Sequence, residues 1–213
     1  MRTGFDEEMR SAARLADHAV ARTMKKYRDG LVIDEDDLTG VLVGNLDTEF
    51  TEHRRKGSGG VQWSSSILRH RRGKAAEEKR IGADMIIHVS LDSPIQTYSK
   101  AVLIQAKRQD PGSMMTVRDR DDLVKQCNKM LAVTPASFVF DYTTTGMRCA
   151  SATKIAGSSN PDLYSACSWT SYRFFLELFR CPVGDPNITS ARASDLPVPI
   201  VLELKGEGDI QDE

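Results

Sequence analysis

Two apolar runs constrain this chain more than any other feature. Asp84 to Leu91 (Asp-Met-Ile-Ile-His-Val-Ser-Leu) and Ala101 to Ala106 (Ala-Val-Leu-Ile-Gln-Ala) are rich in β-branched, apolar side chains and read as strands. Asp92-Ser93-Pro94 between them is a turn signal, so the pair reads as a hairpin. Asp110-Pro111-Gly112 ends the second strand.

Helical patterns flank the hairpin. From Asp6 to Arg28, Ala12, Ala16, Val20 and Met24 recur every four residues, with Tyr27 three further on, and Asp29-Gly30 stops the pattern. From Asp34 to Phe50 the stripe is Leu38, Val41, Leu42 and Leu46, with Asp34 as N-cap. A third helix is expected over Asp119 to Leu131, with Leu123, Val124, Cys127 and Met130 inward, until Thr134-Pro135 breaks it. Strands are expected at Ser137 to Tyr142 and Met147 to Ala152. Gly157 to Pro161 reads as a loop. Phe174 to Phe179 and Val198 to Leu204 are apolar elements whose type the pattern leaves open, and the acidic tail from Gly206 to Glu213 reads as frayed. This order implies an α/β fold around a central mixed sheet. A chain of 213 residues is long enough for one domain with a proper core.

The chemistry concentrates at one spacing. Gly82-Ala83-Asp84 is followed 21 positions after the aspartate by Gln105-Ala106-Lys107. Gln105 and Lys107 stand two apart on a strand and share a face. The hairpin brings the start of the first strand beside the end of the second. An acid, an amide and a lysine then meet at one spot. Mg²⁺, or Mn²⁺ in its place, takes oxygen ligands; Asp84 offers a carboxylate, Gln105 an amide oxygen and Ala106 its backbone carbonyl. Lys107 would stand near an attacking water, lowering its pKa or stabilising charge on the phosphorane. In-line hydrolysis at such a site leaves a 5′-phosphate.

Gly-Ala-Asp, a hairpin and then Val-Leu-Ile-Gln-Ala-Lys-Arg resembles the PD-(D/E)xK, or restriction-endonuclease-like, nuclease superfamily in its Mrr-like Q-x-K form. The resemblance covers about Asp34 to Tyr142 and implies a core ordered helix, three strands, helix, strand (αβββαβ), its first strand near Val61 to Trp63. It divides the chain into an N-terminal helix (1–30), the core (34–142), a C-terminal elaboration (143–205) and the tail (206–213). The family's aspartate falls on Asp84, its D/E/Q position on Gln105 and its lysine on Lys107. A polar residue of its second helix falls on Gln126. The family's proline before the aspartate is Ala83 here, and Gln105 removes one negative charge from the metal site. An acid from the first core helix would compensate: Glu35 is the preferred choice, with Glu49 and Glu78 as alternatives. The resemblance also implies a DNA substrate and a part in restriction or antiviral defence, with a homodimer able to cut both strands or a partner protein supplying specificity or activation.

The net charge of −1 gives no general pull toward nucleic acid, so any binding surface has to be local. Between Arg54 and Arg80 nine Lys or Arg residues face only Glu77 and Glu78. Arg54, Arg55, Lys56, Arg69, Arg71, Arg72 and Lys74 are the expected phosphate contacts; a solvated loop is the plain alternative. Trp63 either stacks on a base or is buried on the sheet. Two other readings stay open: a non-catalytic nucleic-acid-binding module on the same fold, and an RNA-directed nuclease. No apolar run reaches membrane-spanning length, and the charged start lacks a signal-peptide core, so no membrane partner and a cytoplasmic location are expected. Cys127, Cys149, Cys167 and Cys181 form no C-x-x-C pair and read as reduced, mostly buried thiols.

Overall fold

The computed structural model describes residues 3–56, 60–69 and 81–208. In chain order its elements are α1 (Thr3–Arg28), α2 (Glu35–Lys56), β1 (Val61–Arg69), β2 (Met85–Asp92), β3 (Thr97–Arg108) and α3 (Val117–Leu131). There follow β4 (Ser137–Thr143), β5 (Gly146–Ser151), α4 (Ala152–Ala156), α5 (Leu163–Ala166), β6 (Trp169–Thr170), α6 (Ser171–Phe179), α7 (Ser190–Asp195) and β7 (Ile200–Gly208). The fold is α/β: a seven-stranded mixed sheet in the order β1-β7-β2-β3-β4-β5-β6, flanked by helices.

The hairpin forms as its sequence requires. β2 and β3 pair antiparallel with Met85 opposite Ile104 and Asp92 opposite Thr97. Ser93 closes the turn, its Oγ donating to the Gln96 carbonyl at 2.9 Å. Alternation along each strand then feeds two cores. Met85, Ile87 and Val89 with Val102, Ile104 and Ala106 face α1, α2 and α6. Ile86, Ala101 and Leu103 face the layer containing α3, α4, α5 and α7. Burial on both sides explains why these strands read as apolar runs and not as a polar–apolar alternation.

Each helix ends where its local chemistry dictates. Beyond α1, Gly30 adopts φ +70, and its N–H donates to the Tyr27 carbonyl at 2.9 Å, a left-handed stop that needs no Cβ. α3 begins at Val117, two residues before the position expected from sequence, because the Thr116 hydroxyl caps the Asp119 N–H at 3.1 Å.

The C-terminal third holds what the sequence pattern left open. Phe174 to Phe179 lie on helix α6, with Phe174, Phe175 and Phe179 fully buried. Val198 to Leu204 lead into β7, which inserts between β1 and β2, antiparallel to the first and parallel to the second. The three strands that follow α2 in the chain are therefore not all neighbours: β7 separates β1 from β2. The tail also departs from the expected fraying, since Gly206 to Gly208 pair with Trp63, Gln62 and Val61. A Cβ on Gly206 would meet the Trp63 ring at 3.1 Å; glycine there lets the indole lie flat against the strand. Trp63 is accordingly buried, packed on Phe179 and Phe50 at 4.9 and 5.9 Å, and has no face left for a base. Residues 209–213 lie outside the described residues.

Candidate active site

Asp84 sits at the mouth of β2, where its N–H still donates to the Ile104 carbonyl at 2.8 Å. The approach is shaped by Gly82, at φ +78, which packs against α3 so closely that a Cβ would lie 2.6 Å from the Gln126 carbonyl oxygen. One carboxylate oxygen of Asp84, Oδ2, accepts from Gln105 Nε2 at 2.6 Å and from the Ala106 N–H at 2.7 Å. Burial raises the Asp84 carboxyl to about 7. The Ala106 N–H and the Lys107 charge pull it down, while Glu35 and Asp36 push it further up.

Lys107, two positions past Gln105 on β3, forms an ion pair with Glu35 of α2 at 3.0 Å. Their side chains are 26% and 29% exposed, so water and substrate can compete for the ammonium, and a pair this open contributes little stability. Beneath them the Tyr142 hydroxyl meets Thr39 Oγ1 at 3.1 Å, and Thr39 donates to the Glu35 carbonyl at 3.0 Å. This link fixes the first turn of α2 to β4. Burial pushes the Tyr142 phenol up, which keeps it neutral beside the two carboxylates.

Glu35 and Lys107, but not Asp84 or Gln105, line a cleft of about 740 Å³, with Asp110, Asp119, Asp122 and Gln126 among its other residues. Six buried side-chain atoms among the described residues lack a hydrogen-bonding partner, and four are oxygens: Gln109 Oε1 and Gln126 Oε1, on residues that line the cleft, and Gln105 Oε1 and Asp141 Oδ2, on the neighbouring strands β3 and β4. Asp141 is fully buried on β4, opposite Lys107, and its Oδ1 accepts from the Gln109 N–H at 2.8 Å. Burial raises its carboxyl to about 8. Orphan acceptors are costly in a dry interior, and each suits a proton donor or a cation.

The structure brings Asp84 into contact with Gln105, and the Lys107 charge acts on Asp84. Two details differ from expectation. Gln105 presents its amide nitrogen to Asp84, because a carboxylate attracts donors, and its oxygen is left without one. The Ala106 carbonyl, expected as a metal ligand, accepts from that same amide at 2.9 Å. Of the three candidate acids, Glu35 reaches the site. Glu49 pairs with Arg22 at 2.6 Å instead, and Glu78 lies outside the described residues. Gln126 lines the cleft. Among the described residues no three His, Cys, Asp or Glu side chains are grouped as a metal site. Asp84 and Glu35, with the orphan amide oxygens, are nonetheless the hard oxygen donors that Mg²⁺ prefers.

The basic stretch is only partly in view. Arg54 is exposed near the end of α2, roughly 28 Å along the helix from Glu35 at ~1.5 Å per residue. Its charge acts on Lys205 and Glu207 of β7, far from Asp84. The backbones of Arg55 and Lys56 continue α2 and that of Arg69 ends β1; their side chains, and all of Arg71, Arg72 and Lys74, lie outside the described residues.

Several residues in or near the site carry no sequence signal of their own. Asp110 reads as part of a turn, yet it accepts from the Tyr27 hydroxyl at 3.0 Å and the Thr144 N–H at 2.7 Å. Asp141 and Tyr142 read as the end of an apolar strand. Comparison with known proteins adds nothing to the geometry: a scan of family models, a search of curated proteins and a search of solved structures each found no match. No helix among the described residues is long and apolar enough to cross a membrane.

Proposed function

We propose that this chain is a metal-dependent endonuclease of the PD-(D/E)xK, restriction-endonuclease-like kind, hydrolysing DNA phosphodiester bonds. One observation carries the reading: a largely buried carboxylate raised to about 7, in contact with a buried amide and acted on by a lysine at an open cleft. The order α2, β1, β2, β3, α3, β4 agrees with the core that the resemblance implies, apart from the inserted β7.

Asp84 and Glu35, with the oxygen of Gln105, would hold Mg²⁺ or Mn²⁺. When bound, the ion supplies a Lewis acid for a phosphoryl oxygen and an acidified water. With a cation held there, the Asp84 carboxyl would lose less by ionising than it does at present, and its ionised form would be the one that binds. Lys107 exchanges Glu35 for the scissile phosphate and stabilises the negative charge that grows there. Water adds to phosphorus and the P–O3′ bond breaks; one of the water's protons ends on O3′ and the other passes to solvent, so the strands leave with 5′-phosphate and 3′-hydroxyl ends. Gln126 orients the phosphate from the α3 side. A role in restriction or antiviral defence, a homodimer cutting both strands, and a partner protein that activates or directs the chain belong to this proposal through the resemblance alone.

A second reading has its own support. Gln105 stands where an acid would be, its amide nitrogen occupies Asp84, and Lys107 already holds Glu35. These contacts suit a non-catalytic DNA-binding module. Supercoiled plasmid and single-stranded RNA incubated with the protein, at low salt, in Mg²⁺, Mn²⁺ or chelator, decide among the readings. Metal-dependent nicking of the plasmid is expected. Binding without any cleavage in either metal selects the binding module, and cleavage of RNA alone selects the RNA-directed enzyme.

A further inference from the structure

A second groove, of about 670 Å³, runs between the C-terminal turn of α1 and the β4–β5 turn. It is lined by Lys25, Arg28, Thr144, Thr145, Arg148 and Tyr164, among others. Basic residues at a helix C-terminus ordinarily complement the dipole; here they face a further arginine from the sheet. Arg28 is exposed, Lys25 pairs with Asp29 one turn on, and Arg148 lies over the Tyr164 ring at 4.5 Å. The one carboxylate lining the groove, Asp17, accepts a hydrogen bond from the Ser171 hydroxyl.

The groove adjoins the catalytic cleft. Tyr27 lines the cleft and Arg28 the groove. The Thr144 N–H of the groove donates to Asp110 of the cleft at 2.7 Å. The two differ in charge. The cleft carries Glu35, Asp110, Asp119 and Asp122 against Lys107 and Arg108, so it repels a polyanion except where a cation and Lys107 hold one phosphate. Among the described residues, this adjoining groove has the excess of basic over acidic side chains that the cleft lacks. Arg54, at the far end of α2, is too distant to supply it.

We infer that this groove seats the nucleic-acid phosphodiester backbone next to the scissile phosphate, with Lys25, Arg28 and Arg148 as its phosphate contacts and the Thr144 and Thr145 hydroxyls as neutral donors. The choice of ligand rests on the nuclease reading. Contacts of this kind set affinity and its dependence on salt and leave the chemical step alone.

The test uses the full chain, Arg28→Glu, Arg148→Gln and the double variant, with fluorescence-labelled duplex DNA and single-stranded RNA as separate probes. Binding is read in chelator across a salt series, and cleavage in Mg²⁺. Each substitution is expected to weaken binding at least several-fold and to lower the log–log salt slope by about 1, raising KM with kcat unchanged. The probe affected identifies the polymer. Arg28 is exposed near the end of α1, so its variant keeps the test open should Arg148→Gln unfold. Unchanged affinity and slope in a folded Arg28→Glu variant overturn the inference even where wild type cuts normally. Binding that these changes weaken in a protein that never cuts upholds the groove and removes the nuclease reading. A wild type that binds neither probe removes both.

Discussion

Asp84→Asn should stabilise the metal-free protein while removing its proposed activity. The carboxyl is raised from 3.8 to about 7, with burial as the largest cause. The native state therefore holds a proton that the unfolded chain releases between these two values. That stabilisation is fully present below pH 3.8 and is lost as pH rises to about 7. The gap of about 3 units corresponds to roughly 4 kcal/mol. Asparagine keeps an acceptor for the Gln105 amide and the Ala106 N–H, and its own amide can donate to the orphan Gln105 Oε1. The variant thus has no charge to bury. Denaturant unfolding from pH 4 to 8 in chelator is the assay. The variant's advantage should be near zero at pH 4, grow through pH 5 to 7, and level off at about 2–4 kcal/mol above pH 7. Asp141, also raised, to about 8, titrates in both proteins and cancels in the difference. A difference that is flat with pH, or a variant less stable than wild type at pH 8, refutes the claim that Asp84 is a buried, strained charge.

Gly82→Ala should cost about 2–3 kcal/mol, since the residue stands at φ +78 and its Cβ would meet the Gln126 carbonyl at 2.6 Å; thermal unfolding checks this, and an unchanged melting temperature contradicts it. Glu35→Gln should lower the Asp84 pKa, because Glu35 is one of the charges that raise it; carboxyl-carbon NMR titration reads the shift, and an upward move counts against the geometry. Tyr142→Phe removes the buried bond to Thr39 and should cost about 1 kcal/mol, measured by urea unfolding. Lys100→Met strips the Leu178 and Val183 carbonyls of a buried ammonium donor and should cost about 2–3 kcal/mol; a Met variant as stable as wild type would show that the ammonium is dispensable.

The elements that sequence made legible are those governed by local pattern. The β2–β3 hairpin, the stripe of α1 and the stop at Asp29-Gly30 need only neighbours along the chain. So does the meeting of Asp84 with Gln105, because two hairpin strands fix their own register. β7 was opaque for a different reason. Its place between β1 and β2 depends on residues more than a hundred positions away. Nothing near Gly206 announces that it must clear Trp63. The electrostatics were also hidden. Asp141 and Asp84 look alike in sequence, and their raised carboxyls follow from burial that only the packed sheet creates. Charge clusters differ in how far sequence shows them. Of the expected basic stretch only the Arg54 side chain lies within the described residues, at the far end of α2 from Glu35, while Lys25, Arg28 and Arg148 come together only in three dimensions.

The central claim is that Asp84 and Lys107 perform phosphodiester hydrolysis. The most direct measurement compares wild type, Asp84→Ala and Lys107→Ala on supercoiled plasmid in Mg²⁺, with DNA binding followed on the same preparations. Both substitutions should abolish nicking, with rates down at least a hundredfold, while binding persists. Nicking that survives in either folded variant, or copurifies away from the wild-type protein, would contradict the assignment.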